Sequence, residues 1–149
     1  MADQQTIRGH LQQRSNHQFE ARFEGVETSL LSDEPPPLGQ SAGPSPVQLL
    51  GTAVGTCLSN SLLFALRKFK QNPEPLSCEL ETTVGRNEQG RMRVLAIHAR
   101  LRLGVPAASL AHLERVLEQF EDYCTVTQSV RAGIPVQVSV FDADGVQLK

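Results

Sequence analysis

A long apolar run at helical spacing constrains this chain more than anything else in it. Val47, Leu50, Val54, Cys57, Leu58, Leu62, Ala65, Leu66 and Phe69 recur on a helical period, and polar residues are scarce as far as Leu66. The spacing predicts a helix over residues 45–70, opened by Ser45 as N-cap with Pro46 at the first helical position. Arg67, Lys68 and Lys70 fall in its last turn, where cations suit the helix dipole. A helix apolar nearly all round has to be covered nearly all round. Inside it Gly51, Gly55 and Ser59 stand at i, i+4 and i+8. Each glycine costs about 1 kcal/mol of helix propensity, so something must compensate. Close packing of another helix is the usual reason for such a stripe.

The rest of the chain supplies strands to cover that helix. Residues 1–16 read as a polar lead-in, flexible over 1–15. Between Asn16 and Gly25, Phe19, Ala21 and Phe23 alternate with charged residues, the period of a half-buried strand. Thr28 to Ser32 is a short return strand, and Asp33 to Pro46, with its prolines, is an irregular but stiffened loop. Leu76, Cys78, Leu80, Thr82 and Val84 define a strand, Gly85 to Gly90 a hairpin turn, and Leu95 to Leu103 the partner strand. His98, Arg100 and Arg102 form a basic second face there, read first as a solvated face and second as an anion contact. Val105-Pro106 opens a second helix with Leu110, Leu113, Val116, Leu117 and Phe120 as its stripe. A short helix over 125–132 and a last strand carrying Ile134, Val136, Val138 and Val140 complete the chain. This order is α+β with mainly antiparallel pairing, in one domain spanning residues 1–149. So little sheet cannot cover the long helix alone, and an intertwined dimer would.

Composition narrows the function. A formal net charge of −2 gives no footprint for nucleic acid or an anionic membrane. No uninterrupted stretch approaches the roughly eighteen apolar residues of a membrane span. Residues 1–18 lack the apolar segment of a secretory signal. Three cysteines without an export signal point to the reducing cytoplasm, where a disulfide is transient and catalytic.

Two of those cysteines stand in very different settings. Cys57 lies in the small-residue helix, and Cys124 follows the second helix. A fold that joined them would have the parts of a two-cysteine redox centre. Neither has a second Cys or His two to four residues away, so a zinc knot is a poor fit. His10, His17 and His112 are scattered, and Gly85 to Gly90 lacks the Lys-Ser/Thr of a phosphate loop. A thiol in mid-helix among apolar residues is a weak nucleophile unless a cation stands near it. The bland alternative makes Cys57 a small buried hydrophobe. Cys78, on the apolar face of a strand, is core filler.

The segment Gly43-Pro-Ser-Pro-x-x-Leu-Leu-x-x-Ala-x-Gly-x-Cys57-Leu58 resembles the first cysteine motif of the OsmC/Ohr family (osmotically inducible protein C and organic hydroperoxide resistance proteins). Cys124-Thr-Val-Thr-Gln-Ser-Val, running into a valine-rich strand, resembles the second. The resemblance spans residues 16–148. It implies an OsmC-like α+β fold, antiparallel sheets wrapped around a long buried central helix in an intertwined homodimer. It also implies that Cys57 attacks the O–O bond of an alkyl or lipid hydroperoxide, becomes a sulfenic acid, and is resolved by Cys124. No cofactor is implied. The reductant would be a dithiol, such as the dihydrolipoyl group of a lipoylated protein.

One position departs from the pattern. Peroxidase members carry a Glu directly after the Pro of the first motif, where it orients an Arg that activates the thiolate; here that position is Val47. Arg8, Arg14 and Arg22 are the candidate cations of the N-terminal half, with Arg22 preferred for its place on a strand's polar face. Glu34 could supply the carboxylate. The departure keeps two alternatives open: a weak or inactive dimer binding an apolar or acyl ligand, and a thiol redox sensor.

Overall fold

The structure, a computed structural model, describes residues 3–149 of the chain. It divides into two compact units, one ending at Leu49 and one running Leu50–Lys149. The expected single domain is thus two units by internal contacts.

In the first unit β1 (Gly9–Ser15), β2 (Gln18–Phe23) and β3 (Leu30–Ser32) form an antiparallel sheet in the order β1-β2-β3. β1 corrects the expectation of a flexible lead-in over residues 1–15, of which residues 1–2 lie outside the described residues. It pairs Gly9 with Phe23 and Gln13 with Phe19 along the full length of β2. Every residue of β1 is exposed, so it is held by backbone hydrogen bonding and cross-strand pairs and shows no buried face in its pattern. The proline-rich loop is stiffened as expected. Asp33, itself buried, accepts hydrogen bonds at Oδ2 from the Gln40 and Ala42 backbone N–H groups, both at 3.0 Å.

α1 (Pro46–Lys68) begins at a capping box. Ser45 N–H donates to Gln48 Oε1 at 2.8 Å, and Gln48 N–H donates to Ser45 Oγ at 3.3 Å. The boundary between the units falls in this first turn. By length and composition alone α1 could cross a membrane, its mean hydropathy reaching 1.6. Gly51, Val54, Gly55, Leu58, Leu62 and Leu66 are nevertheless buried, as in a core helix.

The second unit contains β4 (Ser77–Arg86), β5 (Met92–Arg102) and β6 (Val136–Phe141) in the order β4-β5-β6. β4 and β5 are the expected hairpin. β6 is the exception in a mainly antiparallel fold, pairing parallel to β5 with Ala99 beside Val138 and Leu101 beside Val140. Ile97, Ala99, Leu101 and Val140 join Val54, Leu58, Leu62 and Leu66 in one core.

The small-residue stripe packs against a strand and not against another helix. A Cβ added to Gly51 would lie 2.6 Å from Thr82 Oγ1, and one on Gly55 would lie 2.6 Å from the Leu80 side chain. Ser59 hydrogen-bonds with Cys78. Four helical residues rise about 6 Å and two strand residues about 6.8 Å. The pairs 51/82, 55/80 and 59/78 are therefore in register, α1 and β4 running in opposite senses.

All-round burial of α1 is not what a single chain provides. Ala53, Thr56, Asn60 and Phe64 are exposed, Phe64 by 60%. The second predicted helix is also interrupted. Ala107–Ser109 is a 3-10 turn, α2 runs only Leu113–Gln119, and a 3-10 segment follows at Phe120–Tyr123. The break is at His112, which adopts φ 61°. Its ring stacks on Phe69 at 4.7 Å, and Ala111 N–H donates to Gln71 Oε1 at 2.8 Å. Tertiary partners outweigh helix propensity there. α3 (Thr125–Arg131) agrees with expectation.

Candidate active site

Two segments of the second unit bring the site together. α1 carries Cys57 beside the fully buried Leu58, on the half-exposed flank of the helix. Cys124 is a one-residue corner between the 3-10 segment and α3, extended at φ −84° and ψ 94°. The corner is tied down on both sides. Cys124 N–H donates to the Glu121 carbonyl at 3.0 Å, and Gln128 N–H donates to the Cys124 carbonyl at 3.0 Å. Gln128 Nε2 donates to that same Glu121 carbonyl at 3.0 Å.

The two thiols meet. Cys57 is a side-chain hydrogen-bond partner of the Cys124 thiol. Cys57 is half-buried and Cys124 is wholly buried, and both are free thiols. Cys124 Sγ also donates to Thr127 Oγ1 at 2.9 Å. Burial, and after it the neighbouring Cys57, pushes the Cys124 thiol above its ordinary range, while Thr127 pulls the other way. Cys124 is thus held as a protonated thiol with a hydroxyl on one side and a second sulfur on the other. Such a pair can cycle between dithiol and disulfide without a metal ligand set.

A charged cluster anchors the corner from behind. Glu121 pairs with Arg131 Nη2 at 2.7 Å and with Lys149 Nζ at 2.5 Å. Lys149 Nζ also donates to the Leu117 carbonyl at 2.7 Å, and Arg131 Nη2 to the Val136 carbonyl at 3.1 Å. Burial raises the Glu121 carboxyl, but Lys149 and Arg131 together outweigh it and hold it below its ordinary value.

The remaining sequence candidates have other places. Cys78 faces Ser59, and burial first of all pushes its thiol up. Arg100 pairs with Glu81 at 3.2 Å, Arg102 donates to the Ala143 carbonyl at 2.7 Å, and His98 Nε2 bonds Ser139 Oγ at 2.9 Å. Each group of that basic face is therefore engaged within the protein. In the first unit Arg22 pairs with Glu20 at 2.7 Å, Arg14 also pairs with Glu20, and Arg8 stands 3.8 Å from Glu24. All three candidate arginines are committed to carboxylates there. Val47 is half-buried in the first turn of α1. Glu34 lies on the edge of an open apolar groove of about 760 Å³, lined by Leu11, Phe19, Phe23, Leu30 and Leu49.

Sequence reasoning singled out both cysteines and did not single out Thr127 or the Glu121 cluster that lie beside Cys124. The i, i+3 spacing of Cys124 and Thr127 was visible, since residues three apart share one side of a helical turn. Nothing in the sequence pairs Glu121 with Lys149.

A family model described as OsmC-like protein matches residues 39–139, which include both cysteines. No curated protein matches the chain. Among solved structures, the chain resembles an OsmC-like protein of unknown function from Vibrio cholerae, with TM-score 0.78 at 16% identity, over 93% of this chain and 100% of that one. It also resembles the organic hydroperoxide resistance protein OsmC from Legionella pneumophila, with TM-score 0.71 at 14% identity, over 93% and 98% of the two chains. A third is the organic hydroperoxide resistance protein of Bacillus subtilis, with TM-score 0.67 at 12% identity, over 91% and 97%. At these identities the likeness is one of fold, the same mixed α+β architecture with a helix packed on small sheets. By the family match over most of its length, the chain belongs to the OsmC-like protein family.

Proposed function

We propose that the protein is a cysteine-based thiol peroxidase that reduces alkyl or lipid hydroperoxides through a Cys57–Cys124 disulfide cycle. The observation that carries this reading is the contact between a reachable thiol and a buried one. Cys57 is the half-exposed sulfur of the pair and so the one offered to a peroxide, while Cys124 is wholly buried. The Cys57 sulfur attacks one oxygen of the O–O bond, which breaks. The alcohol leaves with a proton, and Cys57 becomes a sulfenic acid. Cys124 sulfur then attacks Cys57 sulfur, the S–O bond breaks, and water departs. An external dithiol, such as the dihydrolipoyl group of a partner protein, returns two electrons and two protons.

Apolar neighbours favour a substrate with a hydrocarbon body over hydrogen peroxide. Membership of the family, and relatives named as organic hydroperoxide resistance proteins, support the same chemistry. The exposed flank of α1 around Phe64 supports a homodimer in which a second copy covers it. A reducing cytoplasm suits a pair that must be reset after each turnover.

The test is non-reducing peptide mass mapping after about one equivalent of tert-butyl hydroperoxide is added to reduced protein. A rapid and specific Cys57–Cys124 disulfide is expected. Untouched thiols in folded protein would overturn the proposal. They would favour a second reading, a binding protein for an apolar or acyl ligand, which Val47 at the family's Glu position and the apolar groove of the first unit support.

A further inference from the structure

Thr127 lies within the second cysteine motif, yet the disulfide cycle gives its side chain no role. It is 0% exposed, and its Oγ1 lies 2.9 Å from Cys124 Sγ. A buried hydroxyl is costly unless it is hydrogen-bonded, and valine would fill the same volume without one. At this position the hydroxyl therefore has a polar task, and its partner is the Cys124 thiol.

We propose that Thr127 is a positioning residue for the resolving step, orienting the Cys124 sulfur toward Cys57 and easing its deprotonation. This inference rests on the peroxidase reading of the site. In the reduced protein the Cys124 S–H donates to Thr127 Oγ1, and the Thr127 backbone N–H is a second contact to the same sulfur, so Thr127 fixes its position beside Cys57. Once Cys57 carries a sulfenic acid, Cys124 sulfur forms the S–S bond as the S–O bond breaks. The departing hydroxide takes up the Cys124 proton and leaves as water. As the proton leaves Cys124, ahead of S–S bond formation, the Thr127 hydroxyl rotates and donates to the sulfur. Within the fold no other hydroxyl is bonded to this sulfur among the described residues. The hydroxyl should matter only after Cys57 has been oxidised.

Reduced wild type, Thr127→Val and Thr127→Ser are each mixed with one equivalent of tert-butyl hydroperoxide and quenched over time. Dimedone trapping reads the Cys57 sulfenic acid, and peptide mapping reads the Cys57–Cys124 disulfide. We expect all three to oxidise Cys57 at the same rate. The sulfenic acid should persist about tenfold longer in Thr127→Val, the loss of one hydrogen bond in the transition state. Thr127→Ser should restore near wild-type resolution. Thr127→Ala provides a second variant without the hydroxyl and shares its missing methyl with Thr127→Ser, so a slow Ala beside a fast Ser isolates the hydroxyl even if the Val variant does not fold. Wild-type resolution in Thr127→Val, or equal slowing in Ser and Ala, overturns the role of the hydroxyl. If wild type itself forms no sulfenic acid or disulfide, the peroxidase reading fails and this inference with it.

Discussion

Two flanks of α1 each carry a cysteine contact, and they differ in what surrounds the sulfur. On one flank Cys124 lies against Cys57 and Thr127. On the other, Cys78 of β4 lies against Ser59. Burial is the largest influence on both Cys124 and Cys78, and it pushes both thiols up. Burial therefore does not separate a redox cysteine from core filler. The presence of a second sulfur does, because a disulfide needs two thiols within reach, and the partners of Cys78 are the Ser59 hydroxyl and the Glu79 carbonyl.

The largest test of that contrast removes the sulfurs themselves. Cys57→Ser should reduce hydroperoxide turnover to background in a coupled dithiol assay. Cys124→Ser should consume about one equivalent of peroxide per chain and then stall, which a single-turnover titration reads. Equal peroxide consumption by wild type and Cys57→Ser would break the comparison outright.

Next in size is the packing that sets the helix between its two flanks. Gly55→Val would drive a branched side chain into Leu80, and overpacking of this kind costs about 1–3 kcal/mol. Urea unfolding should show a lower midpoint with an unchanged slope. Because Gly55 packs on β4, the Cys57–Cys124 disulfide should still form in the folded fraction.

A smaller effect is expected from Glu121→Gln, which leaves Arg131 and Lys149 without their carboxylate. The loss should be about 1 kcal/mol near neutral pH, between an exposed and a buried pair. The folded carboxyl lies below its ordinary value of 4.5. Its contribution is therefore complete above that pH and disappears as pH falls through the folded value. Wild type and Glu121→Gln should differ in urea midpoint at pH 7 and converge in acid. The smallest effect belongs to Cys78→Ser, which should leave turnover within about twofold of wild type, since Cys78 is packed on the opposite flank.

Much of the fold was legible because apolar period and turn chemistry are local. Ser45-Pro46 marked the start of α1, and the alternation through Leu80 and Ile97 marked the hairpin. β1 was not legible: Gly9–Ser15 buries nothing, and a strand held by backbone pairing has no periodic signature. The interruption at His112 was hidden for the opposite reason. Leu110, Val116, Leu117 and Phe120 are all buried, so the apolar stripe continues across a break that Phe69 and Gln71 impose from elsewhere. The parallel pairing of β6 was equally silent, because strand direction leaves no trace in a short valine alternation.

By itself the sequence determined a long apolar helix with a small-residue stripe, α+β composition, and two cysteine motifs. Helical and strand periods are properties of neighbouring residues, and they survive without knowledge of the fold. Only the tertiary structure decided that the stripe faces β4, that Cys124 sits against Cys57 while Cys78 sits against Ser59, and that Thr127 and Glu121 hold the corner. Those contacts join residues distant along the chain, and packing alone selects which of the possible partners meet.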